Sequence, residues 1–284
     1  MTFVIPFPAI DPVLVTVPLG FAELPIRWYA LAYLFGLLGG LFITRRLMAR
    51  PALWSENRPP LTPEQVEALL TWMVIGVILG GRLGFVLFYQ PGYYLSHPAE
   101  ILQVWSGGMS FHGGFLGVIA AVTIFCRLNR APLLSVGDAV AFATPPGLML
   151  GRLANFINGE LWGRPTDVPW AMVFPNGGPL PRHPSQLYEA GLEGLLLFLL
   201  MLLALRAGWT KRPGRLVGLF LLGYGLARAF VERFREADAQ YLSPENPHGH
   251  VIRFTAEWGL TMGQSLSLPM AALGLALILL ARKR

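Results

Sequence analysis

Seven apolar runs in this chain are long enough, or nearly so, to cross a lipid bilayer as helices. A hydrocarbon core of about 30 Å requires roughly 20 apolar residues in helical conformation. Hydrophobic residues make up 54% of the chain and charged residues 13%, whereas soluble domains carry about 25% charged residues. The sequence therefore predicts an all-α integral membrane protein with seven transmembrane helices. The runs cover residues 26–44, 67–89, 111–126, 137–155, 186–206, 216–233 and 264–281.

The basic residues predict how these helices are oriented. Thirteen of the 22 Lys and Arg residues fall in alternate loops and in the C-terminal tail. Because cytoplasmic loops collect Lys and Arg, the N-terminus is predicted to lie outside and the tail inside. Topology explains most of the net charge of +6, and no clustered basic face indicates a nucleic-acid partner. The residues counted are Arg45, Arg46, Arg50, Arg58, Arg127, Arg130, Arg206, Lys211, Arg212, Arg215, Arg282, Lys283 and Arg284.

The chain is expected to form a single integral membrane domain over residues 1–284, because no linker separates a second domain. Residues 1–25 are rich in proline and lack a positively charged start before an apolar stretch. They therefore predict an extended or interfacial arm rather than a cleaved signal peptide. The loops 156–185 and 234–263 are predicted to form a small extracytoplasmic head. With Cys126 as the lone cysteine, the sequence predicts no disulfide framework and no cysteine-based metal site.

The most unusual stretch of the sequence is Gly151–Arg164, at the end of the fourth run. It carries charges, amides and glycines where lipid-facing residues are expected. Ionisable side chains are costly in hydrocarbon and indicate function. Arg82, His112, Arg228 and Glu232 also lie in the outer halves or at the outer ends of their predicted spans. A proton relay would need such groups through the full membrane thickness, so the one-sided distribution predicts a polar cavity near the outer surface.

Helical spacing puts several polar residues on shared helix faces. Residues three or four apart on a helix are neighbours on its surface. Polar residues recur at such intervals in the fourth, fifth and sixth runs, so three helices are expected to turn polar faces toward each other. These faces comprise Arg152 and Asn155, then Gln186, Glu189 and Glu193, and finally Tyr224, Arg228, Glu232 and Arg235.

Arginines outnumber their obvious carboxylate partners in this outer region. The planar guanidinium group matches phosphate oxygens, so Arg82, Arg152 and Arg228 predict a phosphate head group as the ligand. His112 lies in a glycine-rich stretch, residues 107–114, where the backbone can approach a ligand closely. It is the best candidate for a base, because histidine can accept a proton near neutral pH.

The same residues also have structural interpretations. An arginine and a glutamate spaced i, i+4 can form an ion pair without catalysis, and asparagines can join helices by hydrogen bonds. His112 can be a helix-end residue, and the glycines at 80, 81 and 84 can be packing contacts. These alternatives leave the concentration of polar groups on one side unexplained. The possible structural groups are Arg228 with Glu232, Asn155 and Asn158, and Glu160 with Arg164.

Six stretches follow one another through nearly the whole chain. They are Ile26–Tyr29, Gly80–Gly84, Gly107–Gly114, Gly151–Arg164, His183–Glu189 and Tyr224–Asp238. Together they resemble the bacterial prolipoprotein diacylglyceryl transferases. The stretch Gly151–Arg164 resembles the signature of that family, which is highly specific, whereas a lone glycine motif would not be.

The resemblance implies an enzyme of the bacterial inner membrane whose active site faces the periplasm. It implies transfer of a diacylglyceryl group from phosphatidylglycerol to the lipobox cysteine of a preprolipoprotein, which forms a thioether and releases glycerol phosphate. Membrane lipids are the other expected partners, and no cofactor or metal is implied. By motif position, the functional residues of the family fall on Tyr29, His112, Arg152, Asn155, Glu160, Gly163, Arg228, Glu232 and Arg235.

This reaction suggests roles for the candidate residues. A thiol reacts as its thiolate, so His112 is the expected base. Arg152 and Arg228 are expected to hold the donor head group and stabilise the leaving phosphate. The other expected roles are donor positioning by Asn155 and Tyr29, orientation of the arginines by Glu160 and Glu232, and substrate contacts by Gly163, Arg82, Glu232 and Arg235.

Two other classes of membrane protein are possible from the residues alone. A transporter or scramblase for an anionic lipid is suggested by Pro145-Pro146, which could break the fourth span as in carriers, although no internal repeat or midplane cluster is found. An intramembrane protease would need a second aspartate facing Asp138, or a nucleophile-elbow context for Ser110. Neither is present in the sequence.

Overall fold

The computed structural model describes residues 5–8, 10–20, 23–237, 239–255 and 258–282. Each of the seven apolar runs overlaps a helix over most of its length. The helices are α1 (Trp28–Met48), α2 (Pro63–Phe88), α3 (Pro91–Ser96), α4 (Phe111–Leu128), α5 (Leu133–Ile157), α6 (Ser185–Glu189), α7 (Leu197–Arg206), α8 (Arg215–Val231) and α9 (Met262–Leu280). Several predictions fall in part outside the described residues: the domain 1–284, the arm 1–25, the loop 234–263, the basic tail with Lys283 and Arg284, and the stretch that ends at Asp238.

Five of the helical stretches are long and apolar enough to cross a membrane. They are α1, α2, α5, the stretch Ser185–Arg206 and α9. The helices α4 and α8 are shorter, with 18 and 17 residues. A mostly helical membrane protein is therefore confirmed, while the count of seven spans and their orientation stay predictions.

The chain forms two compact units. One consists of Met1–Phe42 with Val140–Arg284, and the other of Ile43–Ala139. Helices α1 and α5 each contribute residues to both units, because the boundaries fall within them.

Glycines allow close helix packing within the unit Ile43–Ala139. A Cβ atom on Gly80 would lie 2.4 Å from the carbonyl oxygen of Gly113, and one on Gly76 would lie 2.6 Å from that of Gly117. These contacts bring α2 and α4 backbone to backbone, as small residues do in membrane helices. The packing interpretation of Gly80 therefore holds, and Gly113 serves the same contact instead of approaching a ligand.

The other unit uses the same device between α8 and α9. A Cβ on Gly218 would lie 2.7 Å from the Gly274 carbonyl oxygen, and one on Gly225 would lie 2.7 Å from that of Ser267. This close packing fixes the position of α8, which carries Tyr224 and Arg228 toward its end.

Short strands supplement the predicted all-α architecture. In the arm, β2 and β3 form an antiparallel hairpin, and β1 pairs in parallel with β4 of the loop that follows α5. A further antiparallel pair, β5 with β6, precedes α9. The strands are β1 (Ile5–Pro6), β2 (Val13–Pro18), β3 (Glu23–Arg27), β4 (Met172–Val173), β5 (His250–Arg253) and β6 (Gly259–Thr261).

Helix α5 continues through Pro145 and Pro146. Membrane helices tolerate proline where neighbouring groups satisfy the freed backbone. The expectation that these prolines could break the fourth span is therefore wrong. The feature that suggested a discontinuous transporter helix is absent from α5, all of which lies in the described part of the chain.

Candidate active site

A buried glutamate, Glu189, contacts three arginines. One lies on α5, one on α8 and one in the segment that follows α8. One carboxylate oxygen of Glu189 lies 3.2 Å from Nη1 of Arg228 and 2.9 Å from Nη1 of Arg235. The other oxygen lies 3.0 Å from Nε of Arg152. Arg152 comes from α5 and Arg228 from α8, so this one carboxylate at the end of α6 ties two other helices together.

Two more glutamates complete the group. Glu232 lies 2.7 Å from Nη2 of Arg228 and 3.8 Å from Nε of Arg235. Glu193 lies 3.7 Å from Nη2 of Arg152, and Arg152 also hydrogen-bonds Tyr224. We call the six charged residues the arginine–glutamate cluster: Arg152, Arg228, Arg235, Glu189, Glu193 and Glu232.

A π-helical segment positions two of these carboxylates. The fifth apolar run begins as α6, continues as a π-helix over Ala190–Leu196 and resumes as α7. A π-helical turn inside a membrane helix is rare and often accompanies a functional site. It lies next to Glu189 and includes Glu193, and both side chains reach Arg152.

Burial gives the arginine–glutamate cluster a closed side and an accessible side. The side chains of Glu189 and Glu193 are 0% exposed, whereas those of the three arginines are 14–19% exposed. Glu189 and Glu193 therefore contact the arginines on the buried side of the cluster, and part of each arginine side chain stays accessible on the other side. Pre-positioned guanidinium groups of this kind can bind a phosphate.

The predicted surplus of arginine is not found here. The three arginines of the arginine–glutamate cluster lie within contact distance of its three glutamates. The polar face of the fifth run was predicted from spacing, but Glu189 and Glu193 were not expected among the site residues. Spacing along one helix carries no information about which arginines of other helices its carboxylates meet.

The turn after α5 holds Asn155 in place. The Asn155 amide donates to Glu160 at 2.8 Å, and the Asn158 amide donates to the same oxygen at 3.3 Å. Gln186 donates to the Glu160 carbonyl at 2.5 Å, which links the turn to α6. Glu160 thus orients asparagines, in place of the arginines we expected. Its predicted structural partner was Arg164, which instead donates from Nε to a backbone carbonyl.

Tyr29 belongs to the same compact unit as this turn. Its hydroxyl lies 3.1 Å from that of Tyr33, one turn further along α1. The charges of Glu160 and Arg152 both act on the Tyr29 phenol.

Gly163 is required by the packing of the loops. A Cβ atom there would lie 2.4 Å from the Phe234 carbonyl oxygen and 2.7 Å from the Cβ of His183. Its amide donates to the His183 carbonyl at 2.9 Å, and it bridges to Arg235 as an isolated antiparallel pair. Through that bridge, Gly163 fixes the backbone position of Arg235, which belongs to the arginine–glutamate cluster. Burial lowers the pKa of the neighbouring His183.

Arg82 has a structural role in place of the predicted head-group contact. The residue is 3% exposed, and its guanidinium lies 5.1 Å from the ring centre of Tyr94. It donates to the carbonyl oxygens of Ile101 at 2.8 Å, Gly107 at 2.7 Å and Glu100 at 2.6 Å. These bonds use each nitrogen of the guanidinium to fasten the connection between α2 and α4.

His112 is the second residue of α4, in the unit Ile43–Ala139, and its side chain is exposed. Ser110 caps this helix by accepting a hydrogen bond from the Gly113 amide at 3.2 Å. The predicted base and the arginine–glutamate cluster thus belong to different compact units. Of the predicted site residues, Tyr29, Arg152, Asn155, Glu160, Gly163, Arg228, Glu232 and Arg235 share one unit.

Known proteins resemble this chain along nearly its whole length. Residues 15–280 match the family profile described as prolipoprotein diacylglyceryl transferase. The chain belongs to the prolipoprotein diacylglyceryl transferase family. The family and the transferase activity predicted from the sequence are thereby confirmed.

Three relatives illustrate the similarity, and each is named phosphatidylglycerol–prolipoprotein diacylglyceryl transferase. The protein from Cereibacter sphaeroides is 55% identical over 98% of both chains. The one from Ruegeria pomeroyi is 53% identical over 99% of both chains. The one from Rhodospirillum rubrum is 54% identical over 100% of this chain and 96% of its own length.

Gly263 borders the arginine–glutamate cluster, and the sequence did not single it out. It lies in the first turn of α9, where a Cβ atom would come 2.6 Å from the carboxyl carbon of Glu232. The glycine thus leaves the space in which the Glu232 carboxylate meets Arg228. The requirement is steric and arises between helices, so it has no signal in the sequence.

Gly263→Ala is expected to lower the rate of diacylglyceryl transfer by about 10- to 100-fold, because a misplacement of about 1 Å is enough for such a loss. The long Glu232 side chain can swing away, so the fold should persist while the Arg228 contact is lost. Initial rates at saturating donor test this. Gly39→Ala in α1 is the control, since its Cβ would meet no described atom within 4 Å. Equal rates for both variants would contradict the steric account.

Proposed function

We propose that this chain transfers the diacylglyceryl group of phosphatidylglycerol to the lipobox cysteine of preprolipoproteins, and that its arginine–glutamate cluster holds the phosphate of the donor. The observation that carries this proposal is the accessibility of the arginines. Fully buried carboxylates fix three guanidinium groups whose side chains remain 14–19% exposed. In such a low-dielectric site, fixed cations stabilise a charge that develops during reaction.

The reaction requires one bond exchange. The cysteine thiolate attacks the glycerol carbon that carries the phosphate, a carbon–sulfur bond forms, and the carbon–oxygen bond to phosphate breaks. The bonding electrons leave with the oxygen, so glycerol phosphate gains a negative charge. Arg152 and Arg228 stabilise that charge, Arg235 contacts the donor beside them, and Glu232 keeps Arg228 oriented.

Residues of the turn after α5 position the donor. Glu160 holds the Asn155 amide, so Asn155 is proposed to contact the donor with its remaining hydrogen-bonding groups. Tyr29 is under the influence of both Glu160 and Arg152, and we assign it a contact to the donor near the phosphate. Gly163 acts indirectly by fixing the backbone at Arg235.

His112→Gln is expected to lower transfer about 100-fold at neutral pH, because a positioned base contributes at least that factor. Raising the pH to about 9 should restore part of the activity, since a free thiol ionises near pH 8.5. Rates at both pH values in purified protein measure this. His97→Gln is the control, because His97 is exposed and stacks on Tyr93. Near-normal transfer by His112→Gln at neutral pH would assign the proton to another acceptor.

The membrane placement is part of the proposal. We infer seven spans, with the N-terminus and the active site on the periplasmic side of the inner membrane. The distribution of Lys and Arg supports this orientation. The partner substrate is a protein whose lipobox cysteine reaches the outer surface of the same membrane.

One assay tests the proposed activity. Purified protein is incubated with phosphatidylglycerol and a lipobox peptide, and the products are examined by mass spectrometry. We expect a peptide carrying a thioether-linked diacylglyceryl group together with one equivalent of glycerol phosphate. A lipobox peptide with serine in place of cysteine is the control and should stay unmodified. Movement of lipid between leaflets without a thioether product would contradict the proposal and favour a scramblase.

A further inference from the structure

The arginine–glutamate cluster is electrically balanced before a substrate binds. Three arginines stand against three glutamates, so the charges cancel when every group is ionised. Phosphatidylglycerol carries one negative charge on its phosphodiester. Its arrival would therefore leave one negative charge uncompensated in a largely buried site. Burying an unpaired charge is costly, and a titratable group commonly changes protonation instead.

Glu193 is the carboxylate that the arginines compensate least. Glu189 lies within 3.2 Å of three arginines, and Glu232 lies 2.7 Å from one. The closest arginine nitrogen to Glu193 is 3.7 Å away. Within the described ranges of the chain, neither oxygen of its carboxylate has a hydrogen-bond partner, and its side chain is 0% exposed. Protonation of Glu193 therefore sacrifices the fewest contacts.

None of the ionisable groups that face Glu193 is suited to take up a proton, which leaves Glu193 itself. Arg152 faces it from α5, Tyr224 and Arg228 from α8, and Arg235 from the segment after α8, while Glu189 lies one turn earlier on its own helix. Arginines stay charged in proteins, and a phenol is neutral near pH 7. Glu189 contacts three arginines, more than either of the other two glutamates.

We propose that Glu193 takes up one proton from solvent when the anionic donor binds, which keeps the arginine–glutamate cluster charge-neutral. This inference rests on the proposed function, because it takes phosphatidylglycerol as the ligand. The neutral carboxyl also helps the later step, since the departing phosphate gains a second negative charge that an ionised Glu193 would repel. Glu193 is thus a positioning residue that acts through the charge of the site and not by contact with the reacting atoms.

Calorimetric titration of the purified protein with short-chain phosphatidylglycerol, without peptide, counts the protons. Titrations at pH ~7 in two buffers of different ionisation enthalpy give the protons bound per donor. We expect uptake of up to one proton for the wild type and loss of that uptake in Glu193→Gln. Glu245→Gln, which alters an exposed carboxylate, should match the wild type. Donor binding by the wild type without proton uptake, or unchanged uptake in Glu193→Gln, would overturn the inference.

The wild-type protein alone supplies a second test. If one proton is taken up, the Kd for phosphatidylglycerol rises by up to about tenfold per pH unit over the range in which Glu193 changes protonation. A Kd that does not vary with pH would overturn the inference without any variant. If the wild type forms the thioether product and binds donor without a proton, only this inference fails. If it neither binds donor nor forms the thioether, the proposed function itself fails.

Discussion

Glu189→Gln is expected to lower diacylglyceryl transfer by more than about 1000-fold, beyond the loss of a single electrostatic contact. It should also reduce the free energy of unfolding by ~3–5 kcal/mol, because removal of one partner leaves buried charges unpaired. The glutamine amide keeps one accepting oxygen and turns an NH₂ donor toward the guanidinium donors. Arg152, Arg228 and Arg235 then lose the common carboxylate that fixes them.

Transfer rates and thermal unfolding in the same detergent test both parts of this prediction. Glu67→Gln is the matched control, because it removes a carboxylate from an ion pair with Arg45 whose side chains are 50–58% exposed. Exposed pairs contribute about 0–1 kcal/mol, so this control should keep its stability. A Glu189→Gln protein with wild-type transfer would show that the arginines do not depend on Glu189.

Arg228→Lys is expected to lower kcat/KM for the donor by about 100- to 1000-fold, although the positive charge is kept. The Arg228 fork contacts Glu189 at 3.2 Å and Glu232 at 2.7 Å through different nitrogens. A lysine ammonium is a compact point charge on a flexible stem. It cannot span the two carboxylates and still present a fixed donor to a phosphate.

Steady-state kinetics with varied phosphatidylglycerol measure this loss and divide it between kcat and KM. Arg45→Lys is the control, since that arginine lies in the exposed pair with Glu67. A fall in kcat would place the Arg228 contact in the transition state, and a rise in KM would place it in donor binding. Wild-type kcat/KM in Arg228→Lys would contradict a role for the guanidinium fork.

The sequence predicted the helices well because burial in lipid imposes a simple rule. A membrane helix must be apolar over its length, and every predicted run overlaps a helix over most of its length. Helical spacing also placed Arg152 and Asn155 on one face, and the turn after them does hold Asn155 through Glu160.

The partners of the charged residues could not be predicted. The arginines contact carboxylates of other helices, and the choice depends on how those helices are rotated. The π-helical segment Ala190–Leu196 changes that rotation next to Glu189. Its glycines, Gly191 and Gly194, do not predict a π-helix, because glycines also serve as ordinary packing contacts in membrane helices. The expected arginine surplus was wrong for this reason.

Arg82 illustrates the same limit in the other unit. Its position in a predicted span indicated a functional charge, yet its guanidinium is used by backbone carbonyls of the connection that follows α2. Backbone carbonyls are present in every sequence and carry no signal. The fold alone determines whether an arginine hydrogen-bonds to backbone carbonyls or to a ligand.

The central claim is that the arginine–glutamate cluster binds the donor phosphate, and solid-state NMR tests it most directly. Dipolar recoupling between the phosphorus of bound phosphatidylglycerol and isotope-labelled arginine side chains reports whether the two lie in contact. We expect phosphorus-dependent dephasing of guanidinium nitrogens in the wild type, and a loss of that dephasing in a variant that combines Arg152→Ala and Arg228→Ala. No dephasing in wild-type protein saturated with donor would contradict the claim.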